Sequence, residues 1–159
     1  QTSKYMALPI RMAEPNLSIV GQGFAVPYEL NLLLREPKRF AQTITTVSGA
    51  TTTTSAGDDT SWPTVTFSLS GAGSSSFTIM NTGTYQGAKS LVLNLSAHSS
   101  GSWVVNFRDK SITKDGTARY DVYKSGDWFL IEPGLNTVAY SNTTNTSSRT
   151  LTYYPAWCL

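Results

Sequence analysis

Apolar and polar side chains alternate along most of the chain beyond residue 60. Four runs carry this alternation, with apolar residues at positions 65, 67 and 69, at 77 and 79, at 91, 93 and 95, and at 103, 105 and 107. Successive side chains of a strand point to opposite faces, so each run predicts a strand with one buried and one solvated face. No stretch repeats with the period of a helix.

Two turn signals join further predicted strands. Asp115-Gly116 separates residues 111–113 from residues 118–123, and Asp-Gly between strand-like runs predicts a hairpin, since glycine takes the positive φ of a tight turn. Pro133-Gly134 follows a predicted strand at residues 128–131 and precedes another at 137–140, an arrangement that suits a type II turn.

The remaining segments complete a pattern of short strands and turns. Residues 150–157 predict the last strand, whereas the polar stretches 49–61 and 141–148 are predicted to be loops or mobile connectors. Strands at intervals of about 8–12 residues are typical of a sandwich or a barrel. We predict an all-β fold, an antiparallel β-sandwich of the galectin-like or jelly-roll-like kind, with a short strand segment before it.

The first 40 residues differ in character from the rest. Residues 28–34 alternate like a strand, and that strand should end before Pro37, which cannot donate to a ladder. We therefore predict two regions: residues 1–40, the end of a preceding domain or a linking strand, and residues 41–159, the sandwich. Because the chain begins at Gln1 rather than Met, we expect a fragment or a processed chain.

Composition removes several classes of function. Twelve basic and ten acidic residues give a net charge of only +2, without the clustered basic face of a nucleic-acid binder. No apolar run reaches the roughly 20 residues that cross a bilayer, so we predict no membrane insertion. The single cysteine, Cys158, cannot form an internal disulfide, which favours assembly in a reducing cytoplasm.

The chemistry-bearing residues are too few for a recognisable active site. His98 is the only histidine, no Gly-x-Ser-x-Gly elbow accompanies it, and we expect it in a surface loop rather than in a triad. Asp58 and Asp59 could bind calcium, but the spacing of an EF-hand is missing, and turn formation is the simpler interpretation. We predict no catalytic residue, no metal site and no cofactor, and therefore no enzyme.

Tryptophans offer one candidate ligand contact. Trp103 and Trp128 lie within strand patterns and should be core residues, whereas Trp62 stands before Pro63 at the entrance of a strand. The apolar faces of sugars pack on such rings, so Trp62 is the speculative ligand contact. A carbohydrate-binding module, or a receptor-binding domain, is accordingly the second hypothesis for the function, and a secreted enzyme is a distant third.

An ordered set of segments resembles the siphovirus distal tail protein and minor tail component family. The most specific segment is Trp-Phe-Leu-Ile-Glu-Pro-Gly-Leu-Asn-Thr-Val at residues 128–138, which looks like that family's strand, Pro-Gly turn and following strand. Other segments occur in the same order: residues 28–40, 62–67, 90–95, 103–106, the Asp115-Gly116 hairpin and 153–157. The resemblance covers about residues 24–159.

The resemblance implies a structural role in a virion. Members of that family carry a galectin-like sandwich outside a ring-forming N-terminal domain, and form a homo-hexameric adaptor between tail tube and tip. We therefore expect other phage tail proteins as partners, host cell-wall carbohydrate as a further possible partner, and a location at the virion tail tip after assembly in the host cytoplasm. Residues 1–40 would then be the end of the tail-ring domain.

Overall fold

The structure, a computed structural model, describes residues 38–158. A short 3₁₀ helix covers Tyr120–Val122, and the other elements are all strands. The strands are β1 (Lys38–Phe40), β2 (Thr45–Ser48), β3 (Thr51–Ser55), β4 (Thr64–Leu69), β5 (Phe77–Gly83), β6 (Gly87–Leu93), β7 (Gly101–Asn106), β8 (Ser111–Lys114), β9 (Thr117–Ala118), β10 (Tyr123–Gly126), β11 (Gly134–Ser141), β12 (Thr146–Tyr153) and β13 (Ala156–Cys158). The strand predicted at residues 28–34 lies outside the described residues.

Two antiparallel sheets stack to form the predicted sandwich. One sheet has the strand order β10-β6-β5-β11-β3, and the other has the order β2-β12-β4-β7-β8-β9. A separate ribbon pairs β1 with β13. The all-β antiparallel prediction is confirmed. Within the described part of the chain, the structure contains no helix of the length and hydropathy needed to span a membrane.

The predicted alternation places one continuous apolar core between the sheets. The side chains of all four alternating runs are buried, and ring centroids of Phe67 and Phe77 approach to 4.8 Å across the two sheets. Trp103 is fully buried, as predicted, whereas Trp128 is only partly buried at the edge of the core. Each large apolar side chain removed from water contributes about 1.5–3 kcal/mol to the stability of the fold, so the apolar core between the sheets is its main source of stability.

The Asp115-Gly116 hairpin is confirmed. Both turn residues have positive φ, +49° and +81°, as a type I′ turn requires, and the turn joins β8 to β9. The strand predicted at residues 118–123 is interrupted over residues 119–122, since Ala118 ends β9 and Tyr123 begins β10. The chain leaves the sheet there and enters the 3₁₀ helix, which buries Val122 against the core.

Two further predictions about segments are wrong. Residues 49–61 are not a loop throughout, because β3 forms within them and pairs with β11 along its full length. Residues 128–131 do not form a strand; only Ile131 makes an isolated bridge, with Ser61. Aromatic packing explains their apolar character, since the rings of Trp128 and Phe129 both contact Phe107.

The C-terminal strand divides in two. The chain turns after Tyr153 and resumes as β13 after Pro155, whose missing N–H cannot extend the ladder. The loop predicted at residues 141–148 shortens to 142–145, because β11 extends to Ser141 and β12 begins at Thr146.

Candidate functional site

Trp62 is fixed at the entrance of β4. Its neighbour Ser61 exchanges two backbone hydrogen bonds with Ile131, of 2.9 and 2.8 Å, and the Pro63 carbonyl accepts from the N–H of Phe107 at 3.1 Å. The indole is partly buried and packs against the core. The ring is therefore held in place with part of its surface left accessible.

A small cleft lies beside this ring. Its volume is about 180 Å³, and it is lined by Phe40, Trp62, Thr64, Asn106, Arg108 and Tyr154. These six residues, hereafter the aromatic cleft, come from four places in the chain that meet at one end of the six-stranded sheet. Pockets that enclose drug-sized ligands measure about 300–1,000 Å³, so this cleft would cover one face of a ligand and would not enclose it.

The polar lining of the aromatic cleft is set by a turn after β7. The side-chain oxygen Oδ1 of Asn106 accepts from the backbone N–H groups of Arg108 and Asp109, at 3.0 and 3.2 Å, and its side-chain NH₂ donates to the Asp109 carboxylate at 2.8 Å. This side chain is thus occupied by its own turn, and Arg108 brings a positive charge to the lining. Among the lining residues within 38–158, none carries a carboxylate.

His98 lies in the loop between β6 and β7, as predicted, but its side chain is buried, so the prediction of a surface position is wrong. Its Nδ1 lies 3.2 Å from the Arg119 guanidinium, its Nε2 lies 3.5 Å from the Asp121 carboxylate, and its ring meets the edge of Trp103. Burial lowers the pKa of His98, and the positive charge of Arg119 lowers it further, against the opposing effect of Asp121. Burial and Arg119 thus favour the neutral ring while Asp121 opposes them, and the three side chains together link two surface segments.

Asp58 and Asp59 hold chain segments together. The Asp58 carboxylate accepts from the backbone N–H of Cys158 at 2.8 Å, and Asp59 pairs with Lys38 at 3.2 Å. Desolvation opposes ionisation of Asp59, but the Thr60 backbone N–H and the Lys38 ammonium together keep its pKa below the usual value. Within residues 38–158, no three His, Cys, Asp or Glu side chains converge as metal ligands.

Sequence reasoning missed the most elaborate polar cluster, which surrounds Glu132. This carboxylate is 2% exposed, yet it accepts from the backbone N–H groups of Tyr85 and Gln86, at 2.7 and 2.6 Å. The Asn136 side chain bonds both the N–H and the carbonyl of Glu132, at 3.0 and 2.8 Å. A β-carbon at Gly83 would overlap the carboxylate, so the cluster needs glycine there. An acid placed directly after the apolar run at residues 128–131 was the available signal.

The sequence and the fold resemble those of phage tail proteins. Residues 56–157, more than half of the chain, match the family described as siphovirus-type tail component, C-terminal domain. No curated protein matches the chain.

A solved structure has the same fold. The Dit protein of phage SPP1, titled a paradigm of the hub adsorption apparatus in phages that infect Gram-positive bacteria, superposes with a TM-score of 0.61 at 14% identity. The match covers 77% of this chain and 50% of that protein, so the chain spans about half the length of the solved relative.

Proposed function

This chain belongs to the siphovirus-type tail component family, and we propose that it acts in the adaptor between the tail tube and the tail tip. As a family member it is a structural component of a phage tail. The observation that carries the proposal is the family match over residues 56–157, which takes in nine of the eleven strands of the two sheets. In this proposal the sandwich is the peripheral part that contacts other tail proteins or the host surface.

The proposed adaptor is a homo-hexamer of the full-length protein, assembled in the host cytoplasm. Residues 1–40 would end the ring-forming domain, and β1 would connect that domain to the sandwich. The attachment is supported by a short ribbon and an ion pair, because β1 pairs with β13 and Lys38 contacts Asp59. A sandwich fastened at this point would be held at a fixed angle to the ring.

Native mass spectrometry of the full-length protein tests this adaptor. We expect six copies in one closed assembly under conditions that permit tail assembly. A protein that stays monomeric at every concentration, or that is missing from purified virions, would rule the adaptor out. Substitution of Lys38 by Met should leave the copy number unchanged, because it loosens the sandwich and not the ring.

The second candidate function is carbohydrate binding, favoured by the aromatic cleft. Three aromatic rings and one guanidinium meet there, and Tyr154 is 43% exposed. Aromatic faces pack on the C–H faces of sugars, while the guanidinium can donate to hydroxyl oxygens. A contact on one open face would bind a single unit weakly, and several copies in a ring would raise the avidity of the whole assembly.

Titration with host cell-wall polysaccharide decides this candidate. We expect saturable binding that Trp62→Ala abolishes, because that change removes the largest stacking surface of the cleft. Tyr85→Ala is the matched control, since Tyr85 is 80% exposed, lies outside the cleft and loses a similar aromatic area. Absence of saturable binding, or equal loss in both variants, would remove the candidate.

A further inference from the structure

Two aromatic side chains outside the aromatic cleft form a second accessible surface. Tyr123, the first residue of β10, is 42% exposed, and Trp128 is partly buried at the edge of the core. Their ring planes are 7° from parallel, and their centroids are 6.1 Å apart. This distance exceeds the roughly 3.5–4.0 Å of atoms in direct contact, so Tyr123 does not cover the whole face of Trp128. The two rings are hereafter the aromatic step.

Backbone contacts hold the aromatic step in one arrangement. The Tyr123 hydroxyl donates to the Gly126 carbonyl at 2.9 Å, which fixes the ring beside its own strand. The backbone N–H of Asp127 donates to the Ser90 carbonyl at 2.7 Å. Gly126 has a φ of +105° and passes so close to the same carbonyl that a β-carbon would overlap it. The bend that connects the two rings is therefore tied to β6 and is rigid.

A ring that is both exposed and fixed is suited to contact a ligand. Binding normally pays for the ordering of the side chains that it uses, and folding has already ordered Tyr123 through its hydroxyl. Because Gly126 occupies that hydroxyl, the ring offers a partner its flat face and not a hydrogen bond. Flat aromatic faces pack on the C–H faces of sugars.

A charged pair beside the aromatic step supplies the hydrogen-bonding groups. Asp127 directly precedes Trp128, its carboxylate lies 3.6 Å from the Lys89 ammonium, and both charged side chains are solvent accessible. A carboxylate accepts hydrogen bonds from hydroxyl groups, and an ammonium donates to hydroxyl oxygens. Ring faces next to such a pair match the two surfaces of a sugar unit, its C–H face and its hydroxyl edge.

The aromatic step and the aromatic cleft flank the same turn. The residues on either side of Phe107 line the cleft, whereas the Phe107 ring contacts Trp128, with centroids 5.5 Å apart and planes at 74°. The backbone N–H of Phe107 donates to the Pro63 carbonyl, next to Trp62 of the cleft. A single residue thus lies between the two surfaces, so one chain of sugar units that crosses the turn contacts both.

We propose that the aromatic step is a second contact point for a glycan chain whose first contact is the aromatic cleft. The proposal rests on the carbohydrate-binding candidate above and adds the class of ligand, a polymer of several hydroxyl-rich units in place of a single terminal sugar. The second contact forms within a complex that is already bound, so it raises the affinity although neither surface encloses the ligand.

Calorimetric titration of the whole chain with short and long fragments of host cell-wall polysaccharide tests the proposal. We expect long fragments to bind about tenfold more tightly than short ones. Tyr123→Ala should remove this difference and leave the binding of short fragments unchanged, whereas Tyr123→Phe keeps the ring and should retain the difference. Tyr120→Ala is the matched control and should change neither affinity, because Tyr120 is 62% exposed on the 3₁₀ helix, outside the step.

Nuclear magnetic resonance of the indole N–H groups supplies a second readout. Long fragments should shift the signals of both Trp62 and Trp128, and short fragments should shift that of Trp62 alone. The step is overturned, and the cleft retained, if Trp62→Ala abolishes binding while fragment length and Tyr123→Ala have no effect. Equal weakening by Tyr123→Ala and either Tyr123→Phe or Tyr120→Ala also overturns it. Failure of every fragment to bind overturns the step together with the carbohydrate-binding candidate and leaves the adaptor untouched.

Discussion

Replacement of Glu132 by glutamine should destabilise the domain strongly, although the two side chains have nearly the same size and shape. The carboxylate receives two backbone N–H groups, from Tyr85 and Gln86, at 2.7 and 2.6 Å in a site that is 2% exposed. Glutamine keeps one acceptor oxygen and turns an NH₂ group toward the other N–H. A hydrogen bond to a charged group contributes about 1.5–3 kcal/mol, and a stranded buried donor costs about 1–3 kcal/mol. We therefore expect the free energy of unfolding to fall by about 2–4 kcal/mol.

Urea unfolding measures this loss, and Asp127→Asn is the matched control. This variant makes the same carboxylate-to-amide change at a side chain that is 63% exposed. The Asp127 carboxylate lies 3.6 Å from the Lys89 ammonium, and such a surface ion pair contributes about 0–1 kcal/mol. Hydrogen exchange should also accelerate at Tyr85 and Gln86 before it accelerates in the central strands. Equal losses in the two variants, or unchanged exchange at those amides, would refute the assignment of Glu132 as the support of this turn.

Other predictions concern packing and pH. Phe67→Ala should lower the free energy of unfolding by about 3–5 kcal/mol, because its ring is buried between the two sheets. A loss below about 1 kcal/mol would contradict a core shared by the sheets. Gly57→Ala should destabilise the domain measurably in urea, because its β-carbon would overlap the backbone of Ala156, and a neutral result would contradict that close approach. His98 has a lowered pKa in the fold, so the unfolded chain takes up protons first as pH falls below about 6.5. The stability contributed by neutral His98 should be present above that pH and lost as the pH falls through the pKa of the folded protein. His98→Gln should therefore make the free energy of unfolding depend less on pH in this range. An identical pH dependence in both proteins would contradict this assignment.

The core strands could be predicted because their signal is local. Alternation at β4, β5, β6 and β7 specifies which side chains meet the other sheet, and the Asp-Gly pair specifies a turn whatever surrounds it. Strand β3 could not be predicted in this way. Four threonines and a serine have no apolar alternation, and they become a strand only because β11 lies alongside.

Tertiary contacts explain the other differences. His98 is polar and surrounded by serines in the sequence, but its burial depends on Arg119, Asp121 and Trp103, which the chain delivers from later segments. The bonds of Glu132 to a turn more than 40 residues earlier are equally invisible to local patterns. For Trp62, the position beside a cleft follows from its neighbour's bridge to Ile131, while ligand contact stays a prediction.

An electron cryo-microscopy reconstruction of the tail tip of virions that carry this protein tests the central claim most directly. The adaptor proposal predicts six copies of the two-sheet sandwich around the end of the tail tube, each attached through β1 and its neighbour β13. Density for the sandwich at another position in the virion, such as the capsid, or a tail tip that lacks it altogether, would contradict the proposal.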